Sequence, residues 1–173
     1  MKKDKKENEY VETIVYIVLG IAAAYLLNYG LGLLLGTKLP VVAVVSESMT
    51  HDSSTLARHY QFLQENLNYS KEQLDSWPIK NGFLKGDALV VMGVPEKGLK
   101  VGDVIVYDIN GQNTPIVHRI VKLENGQITT KGDHNPSIDP WKPVKIHGKA
   151  IIVIPFLGWP KLLLTQLLGG VMR

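Results

Sequence analysis

Cysteine is absent from all 173 residues, which excludes thiol nucleophiles, disulfides and thiolate zinc sites whatever the compartment. A dense stripe of basic charge is missing as well. The 19 Lys and Arg residues are offset by 16 Asp and Glu residues along the chain, leaving a net charge of +3. Nucleic acid is therefore not an expected partner. Internal repeats and low-complexity segments are also lacking. The length suits one ordinary core plus a membrane segment and hardly two large domains.

The most conspicuous local absence is charge between positions 13 and 37, a run of 25 residues. As a helix it would be roughly 37 Å long at 1.5 Å per residue, against a bilayer core of about 30 Å. The apolar region of a cleavable signal peptide is usually about 7 to 15 residues, so an uncleaved anchor is the expectation. Lys2, Lys3, Lys5 and Lys6 precede the run, whereas only Lys38 follows closely before Arg58. Because Lys and Arg set orientation, residues 1–12 are expected on the cytoplasmic side and the chain beyond 37 outside. The apolar segment 158–173 is broken by Gly158 and Pro160 and is too short to span; it reads as interfacial, or as a second span cut short.

Beyond the anchor the apolar runs are short and β-branched, at 41–45, 88–92, 104–107, 116–121, 128–130 and 150–154. Gly86-Asp87, Gly102-Asp103, Gly132-Asp133, Asn110-Gly111 and Asn125-Gly126 punctuate them as turns. The expected architecture is a mostly β domain over 38–157 behind one N-terminal transmembrane helix. Between 52 and 84 the pattern changes to helix, with Leu56, Tyr60, Leu63 and Leu67 on one face and a capping box from Ser70 to Gln73. This reads as a helical insert packed on the sheet. Alternation in 116–121 puts Ile116, His118 and Ile120 on one face and Val117, Arg119 and Val121 on the other.

The chemistry-bearing residues lie in separated segments: Ser46-Glu47-Ser48-Met49 after the first strand, His118 within a strand, and Asp133 and Asp139 in the turn 132–140. A serine hydroxyl needs a base within reach and a group to orient that base. Ser48 stands ten residues after Lys38, so even an extended chain keeps it within about 33 to 36 Å of the anchor's end. Asp133 and Asp139 also fit a purely local turn role, Arg119 a structural ion pair, and Met49 an apolar support. His51 and His134 read as turn or surface residues.

The segments SESM, GDVIVY, VHRI and KGDHNPSID, in that order behind an anchor, resemble type I signal peptidases, and most closely their archaeal and endoplasmic-reticulum branch with a histidine base. The resemblance implies a membrane-bound serine endopeptidase that cleaves signal peptides from exported preproteins after small residues at −1 and −3. It implies Ser48 as nucleophile, His118 as general base and Asp139 as the required acid, with Ser46 at the oxyanion and Asp133 in support. It further implies no metal or other cofactor. The partners it implies are preproteins, the lipid bilayer and translocon or accessory subunits, in the cell membrane, preferentially an archaeal plasma membrane, or in the endoplasmic-reticulum membrane. Glu47 stands where glycine is common in that family, and His134 where asparagine is common. The reading of another class is an anchored β domain that binds a partner without catalysis.

Overall fold

The computed structural model describes residues 2–171, with side chains from 8 to 167. The side chains of Lys2, Lys3, Lys5 and Lys6, on which the orientation expectation rests, and Arg173 lie outside the described residues. Helix α1 (Lys2–Leu35) takes in the uncharged run as far as Leu35, and its stretch Asn8–Leu35 is long and apolar enough to cross a bilayer. Its residues 8–31 are exposed, so their apolar character is not explained by the core.

The remainder is one antiparallel sheet of six strands, β1 (Val41–Ala43), β2 (Ala88–Met92), β3 (Val104–Asp108), β4 (Ile116–Glu124), β5 (Gln127–Lys131) and β6 (Lys145–Ile154), ordered β1-β2-β6-β3-β4-β5. Every sequence-expected strand is present. The last is longer than expected, because β6 pairs with β2 along one edge and β3 along the other. The first is shorter, because Val44 leaves the strand to bond the turn at Gly86 and Asp87 instead. Register shifts at Val90/Val91, Val106/Tyr107 and Ile120/Lys122 each insert a residue, the usual means of bending a sheet.

Strand β3 is buried on both faces. Val104 and Val106 join Met49, Phe83, Leu89 and Val91 in one core, while Ile105 and Tyr107 join Leu99 and Ile120 in the other. The insert supplies α2 (Ser53–Leu67) and α3 (Lys71–Asp75), whose Leu63 and Leu74 pack on Val121. Asp52 caps α2 and Ser70 caps α3, each through a capping box. The buried stripe of α2 runs through Thr55, His59 and Leu63, so in its first half it is displaced by one residue from the expected Leu56 and Tyr60.

Turn chemistry separates pairs that look alike in sequence. Asn125 and Gly126 both have positive φ, as the two-residue hairpin turn between β4 and β5 requires. Asn110-Gly111 instead lies in a longer connection between β3 and β4. Asp87 and Asp103 each accept the backbone N–H three residues earlier, from Leu84 and Lys100, and so serve their own turns. Asp133 does not; its carboxylate is committed elsewhere. Helix α4 (Trp159–Val171) follows β6 and is fastened where Gly158 N–H bonds Gly86 carbonyl and Phe156 N–H bonds Asp87.

The end of α1 is clamped to the sheet. Gly93 N–H donates to Leu35 carbonyl at 2.7 Å, and a Cβ on Gly93 would stand 1.9 Å from Gly36 carbonyl oxygen, a backbone atom no rotamer change can move. Gly93→Ala should therefore lower unfolding stability in detergent by about 1–3 kcal/mol, the usual range for overpacking. Gly98→Ala, whose Cβ would meet nothing closer than 3.7 Å, serves as the near-neutral control. Equal denaturant midpoints for the two variants would contradict the clamp.

Candidate active site

Strand pairing sets His118 opposite Ile105, with Tyr107 opposite Ile116 on β3 and Thr130 opposite Ile120 on β5. Directly paired residues share a face, so His118, Tyr107 and Thr130 project together, as the alternation in β4 requires. The chain then returns along β5, where Asp139 N–H donates to Thr130 carbonyl and delivers the Asp139 carboxylate to the same place. His118 Nδ1 lies 2.7 Å from Asp139 Oδ2, and both side chains are buried. The same oxygen accepts from Thr130 Oγ1 at 2.6 Å and from the Tyr107 hydroxyl at 3.1 Å. Trp141 Nε1 donates to that hydroxyl in turn.

Burial alone would raise the Asp139 pKa. The donors from His118, Thr130 and Tyr107 outweigh it and hold the carboxyl below its ordinary value. An ionised Asp139 requires the N–H of His118 at Nδ1, which leaves Nε2 with the lone pair. A ring fixed in this tautomer and orientation is suited to accept a proton at Nε2.

Ser46 and Ser48 form a second group. Their hydroxyl oxygens are 3.2 Å apart, Ser46 exposed and Ser48 half-buried. Both line a groove of about 530 Å³ whose walls include Val42, Val44, Phe83 and Val117, with Lys161 and Thr165 of α4 along one side. Among the described residues no hydrogen bond joins Ser48 Oγ to His118; its hydroxyl is engaged with Ser46. Catalytic hydrogen bonds are commonly long or unaligned before substrate arrives. Val117 in the groove wall immediately precedes His118, and successive strand side chains project to opposite faces, so among the described residues the structure does not join the serine pair to the His–Asp pair.

Asp133 occupies a third centre. Its carboxylate is fully buried and pairs with Arg119 through Nε at 2.9 Å and an Nη nitrogen at 2.7 Å, the structural ion pair expected for that arginine. His51 Nε2 lies 3.0 Å from Asp133, and His59 Nε2 3.4 Å. Burial pushes the Asp133 carboxyl up, but Arg119 and the His51 contact bring it well below the usual carboxylate range. Met49 is buried in the core beside Ser48 and its sulfur accepts the Asp133 N–H. Of the two further histidines, His134 is on the surface as expected, whereas His51 is buried against His59 and the backbone of Gly82, held there by Asp133. Sequence spacing placed His51 near Ser48 but could not show which way its ring turned.

Four contributors escaped the sequence reading. Tyr107 and Thr130 sit in segments that looked only apolar or β-branched, and pairing register alone reveals that they face His118. Lys131 is fully buried, and its Nζ bonds the carbonyls of Gly132 and Asp133. His59 stands four residues after Thr55 and four before Leu63, so extending the α2 stripe would have found it.

Across the described residues, then, the fold is an antiparallel sheet presenting a buried His–Asp pair and, in a groove lined by neither of these two residues, a pair of serines. Known proteins similar to the chain are catalytic subunits of signal peptidase complexes. No protein-family model matches the chain. The human signal peptidase complex catalytic subunit SEC11C is 25% identical over 180 residues, covering 96% of this chain and 78% of that protein. Subunit SEC11 of Tuber melanosporum is 26% identical over 183 residues, covering 93% and 82%. SEC11 of Lodderomyces elongisporus reaches 33% over 105 residues, covering 53% and 63%. The chain is thus similar, along nearly its whole length, to catalytic subunits of the endoplasmic-reticulum type, the branch that its motifs resemble.

Burial lowers the His59 pKa from 6.5 to about 4, against the opposing pull of Asp133, and lowers that of Lys131 to about 8. Between about 4 and 6.5 the unfolded chain binds the proton that folded His59 does not. Stability contributed at this site therefore rises with pH across that window, by at most about 1.4 kcal/mol per pH unit. Urea midpoints between pH 4.5 and 6.5 should climb more steeply for the wild type than for His59→Gln. Parallel slopes would contradict the neutral, buried state of His59.

Proposed function

We propose that the chain is a membrane-anchored serine endopeptidase that removes signal peptides from exported preproteins. The observation that carries this reading is the groove: Ser46 and Ser48 stand in it, with β1 at the edge of the sheet forming part of its wall. An edge strand offers unpaired N–H and C=O groups to an extended peptide, so a substrate can add to the sheet with its scissile bond beside the serines. The named activity of the relatives supports the same substrate class.

In the proposed reaction Ser48 Oγ leaves Ser46 and attacks the scissile carbonyl carbon while its proton passes to His118 Nε2. Asp139 stabilises the imidazolium and keeps Nδ1 protonated. The tetrahedral oxygen, now negative, takes hydrogen bonds from the Ser46 hydroxyl and the Ser48 N–H, and preorganised donors of this kind are often the largest catalytic contribution. Collapse breaks the C–N bond, and the imidazolium gives its proton to the departing amine of the mature protein. Water, deprotonated by His118, then hydrolyses the ester between Ser48 and the signal peptide and restores the serine. Asp133, paired with Arg119, is assigned support of the loop beside Ser48.

The anchor is assigned to residues 13–37, with 1–12 cytoplasmic, the domain 38–157 outside and 158–173 at the interface, in a cell or endoplasmic-reticulum membrane. Since the relatives are named as subunits of a complex, accessory subunits belong to the proposal. The preference for small side chains at −1 and −3 is carried over from the resemblance, with Val42, Val44 and Phe83 as the apolar walls such side chains would face.

Cleavage of a preprotein by the purified protein in detergent or vesicles is the deciding experiment. Ser48→Ala and His118→Ala should each fall by about 10⁴-fold or more, with the double variant little worse, as cooperating units do. Asp139→Asn should be damaging but measurable. Preproteins with Ala at −1 should be cut, and those with Phe or Leu there should not. No cleavage by the wild type would leave a binding domain as the better reading, and full cleavage by folded Ser48→Ala would remove Ser48 as the nucleophile. Substantial cleavage by His118→Ala would transfer the base to His51, which also holds an Asp partner.

A further inference from the structure

The insert between β1 and β2 has no assigned purpose, yet a buried polar side chain of its helix α2, His59, reaches into the charged centre beside Ser48. His59 Nδ1 lies 3.3 Å from Lys131 Nζ, and its Nε2 lies 3.4 Å from Asp133 Oδ1. An ammonium can only donate, so Nδ1 must accept, and the ring N–H then stands at Nε2, toward the carboxylate. Neutral His59 is thereby an acceptor for the cation and a donor toward the anion at once. Lys131 spends its remaining donors on the carbonyls of Gly132 and Asp133.

The loop so held is in direct contact with the serine segment. His134 N–H donates to Ser48 carbonyl at 2.9 Å, and Asp133 N–H reaches Met49 sulfur. A Cβ on Gly132 would stand 2.8 Å from Ser48 carbonyl oxygen, so the two backbones are already at closest approach. The insert grips the same centre from its other end, where Pro78 and Ile79 carbonyls accept from Arg119. We infer that His59 is a positioning residue: through Lys131 and Asp133, α2 of the insert braces the loop 132–135 and so fixes the Ser48 backbone in the groove. This rests on the proposed role of Ser48 as nucleophile. It gives the insert a purpose that neither substrate contact nor lipid contact would.

The test compares wild type, His59→Leu and His59→Gln, beside Ser48→Ala. Leucine fills the space without a donor or acceptor, whereas glutamine keeps one of each. For preprotein cleavage His59→Leu should lose about ten- to a hundred-fold in kcat with KM little changed, the scale of a small misplacement of reacting groups, and His59→Gln should recover most of it. Amide hydrogen exchange reads the brace without any substrate. In the wild type the amides of Asp133 and His134 should be as protected as those of β3. In His59→Leu they should exchange faster while β3 does not.

Unchanged kcat in folded His59→Leu overturns the inference, as does a change confined to KM or a His59→Gln variant as impaired as His59→Leu. Should His59→Leu fail to fold, rapid exchange at Asp133 and His134 in the wild type, or in His59→Gln, overturns it equally. If Ser48→Ala cleaves like the wild type, the reading of Ser48 as nucleophile fails while the exchange experiment still reports on the brace.

Discussion

The Arg119–Asp133 ion pair is the constraint on which the rest of the domain depends. Both side chains are removed from water, and an isolated charge in such a place would cost several kcal/mol. The cost is met by complete use of the guanidinium. Nε and one terminal nitrogen go to Asp133, the other terminal nitrogen to the carbonyls of Pro78 and Gly102, and Ile79 carbonyl takes a further donor. Those partners come from the insert, the turn before β3 and the loop after β5. Arg119 itself belongs to β4, so a single side chain joins four parts of the chain far apart in sequence. Losing one member of such a pair strands the other, which typically costs about 3–5 kcal/mol.

This explains a division of labour between neighbours. His118 and Arg119 are adjacent on β4 and project to opposite faces, each toward its own aspartate. On one face Asp139 meets the imidazole of His118 and the hydroxyls of Thr130 and Tyr107. On the other Asp133 meets a permanent cation, with the rings of His51 and His59 beside it. The two acids stand six residues apart in one loop, yet their environments suit one to a reacting centre and the other to a scaffold. One imidazole and two hydroxyl donors surround the first; a fixed charge and two histidines, one of them from the insert, surround the second.

How far all this could be read without coordinates follows from the range of each determinant. Strands, the hairpin turn at Asn125-Gly126, the capping box at Ser70 and the apolar run of α1 are written in short windows, and they are legible there. The His118–Asp139 contact was reached through motif resemblance, since no window contains both. What stayed hidden depends on register and long-range packing. Nothing near Tyr107 announces that its hydroxyl meets a carboxylate 32 residues away. Lys131 looked like an ordinary strand-end lysine, because a buried ammonium needs carbonyls and an imidazole that the fold alone assembles. His51 looked like a surface residue for the same reason: its burial is created by an insert that begins just beyond it.

The segment between α1 and β1 extends the logic from the site to the anchor. A flexible tether there would leave the groove free to rotate relative to the helix. Instead Thr37 Oγ1 bonds His147 carbonyl at 2.8 Å and also accepts from Leu39 N–H, and Pro40 carbonyl accepts from Val91 N–H. With Gly93 bonded to Leu35, the end of the helix is tied to β2 and β6 before β1 begins. The groove's height and direction are therefore set by the helix, not by diffusion about a linker. If α1 spans a bilayer as proposed, the same bonds hold Ser48 at a fixed distance from the membrane surface. A peptide still embedded in that membrane would then meet the serine only where its chain emerges, so selection by depth would precede selection by side chain.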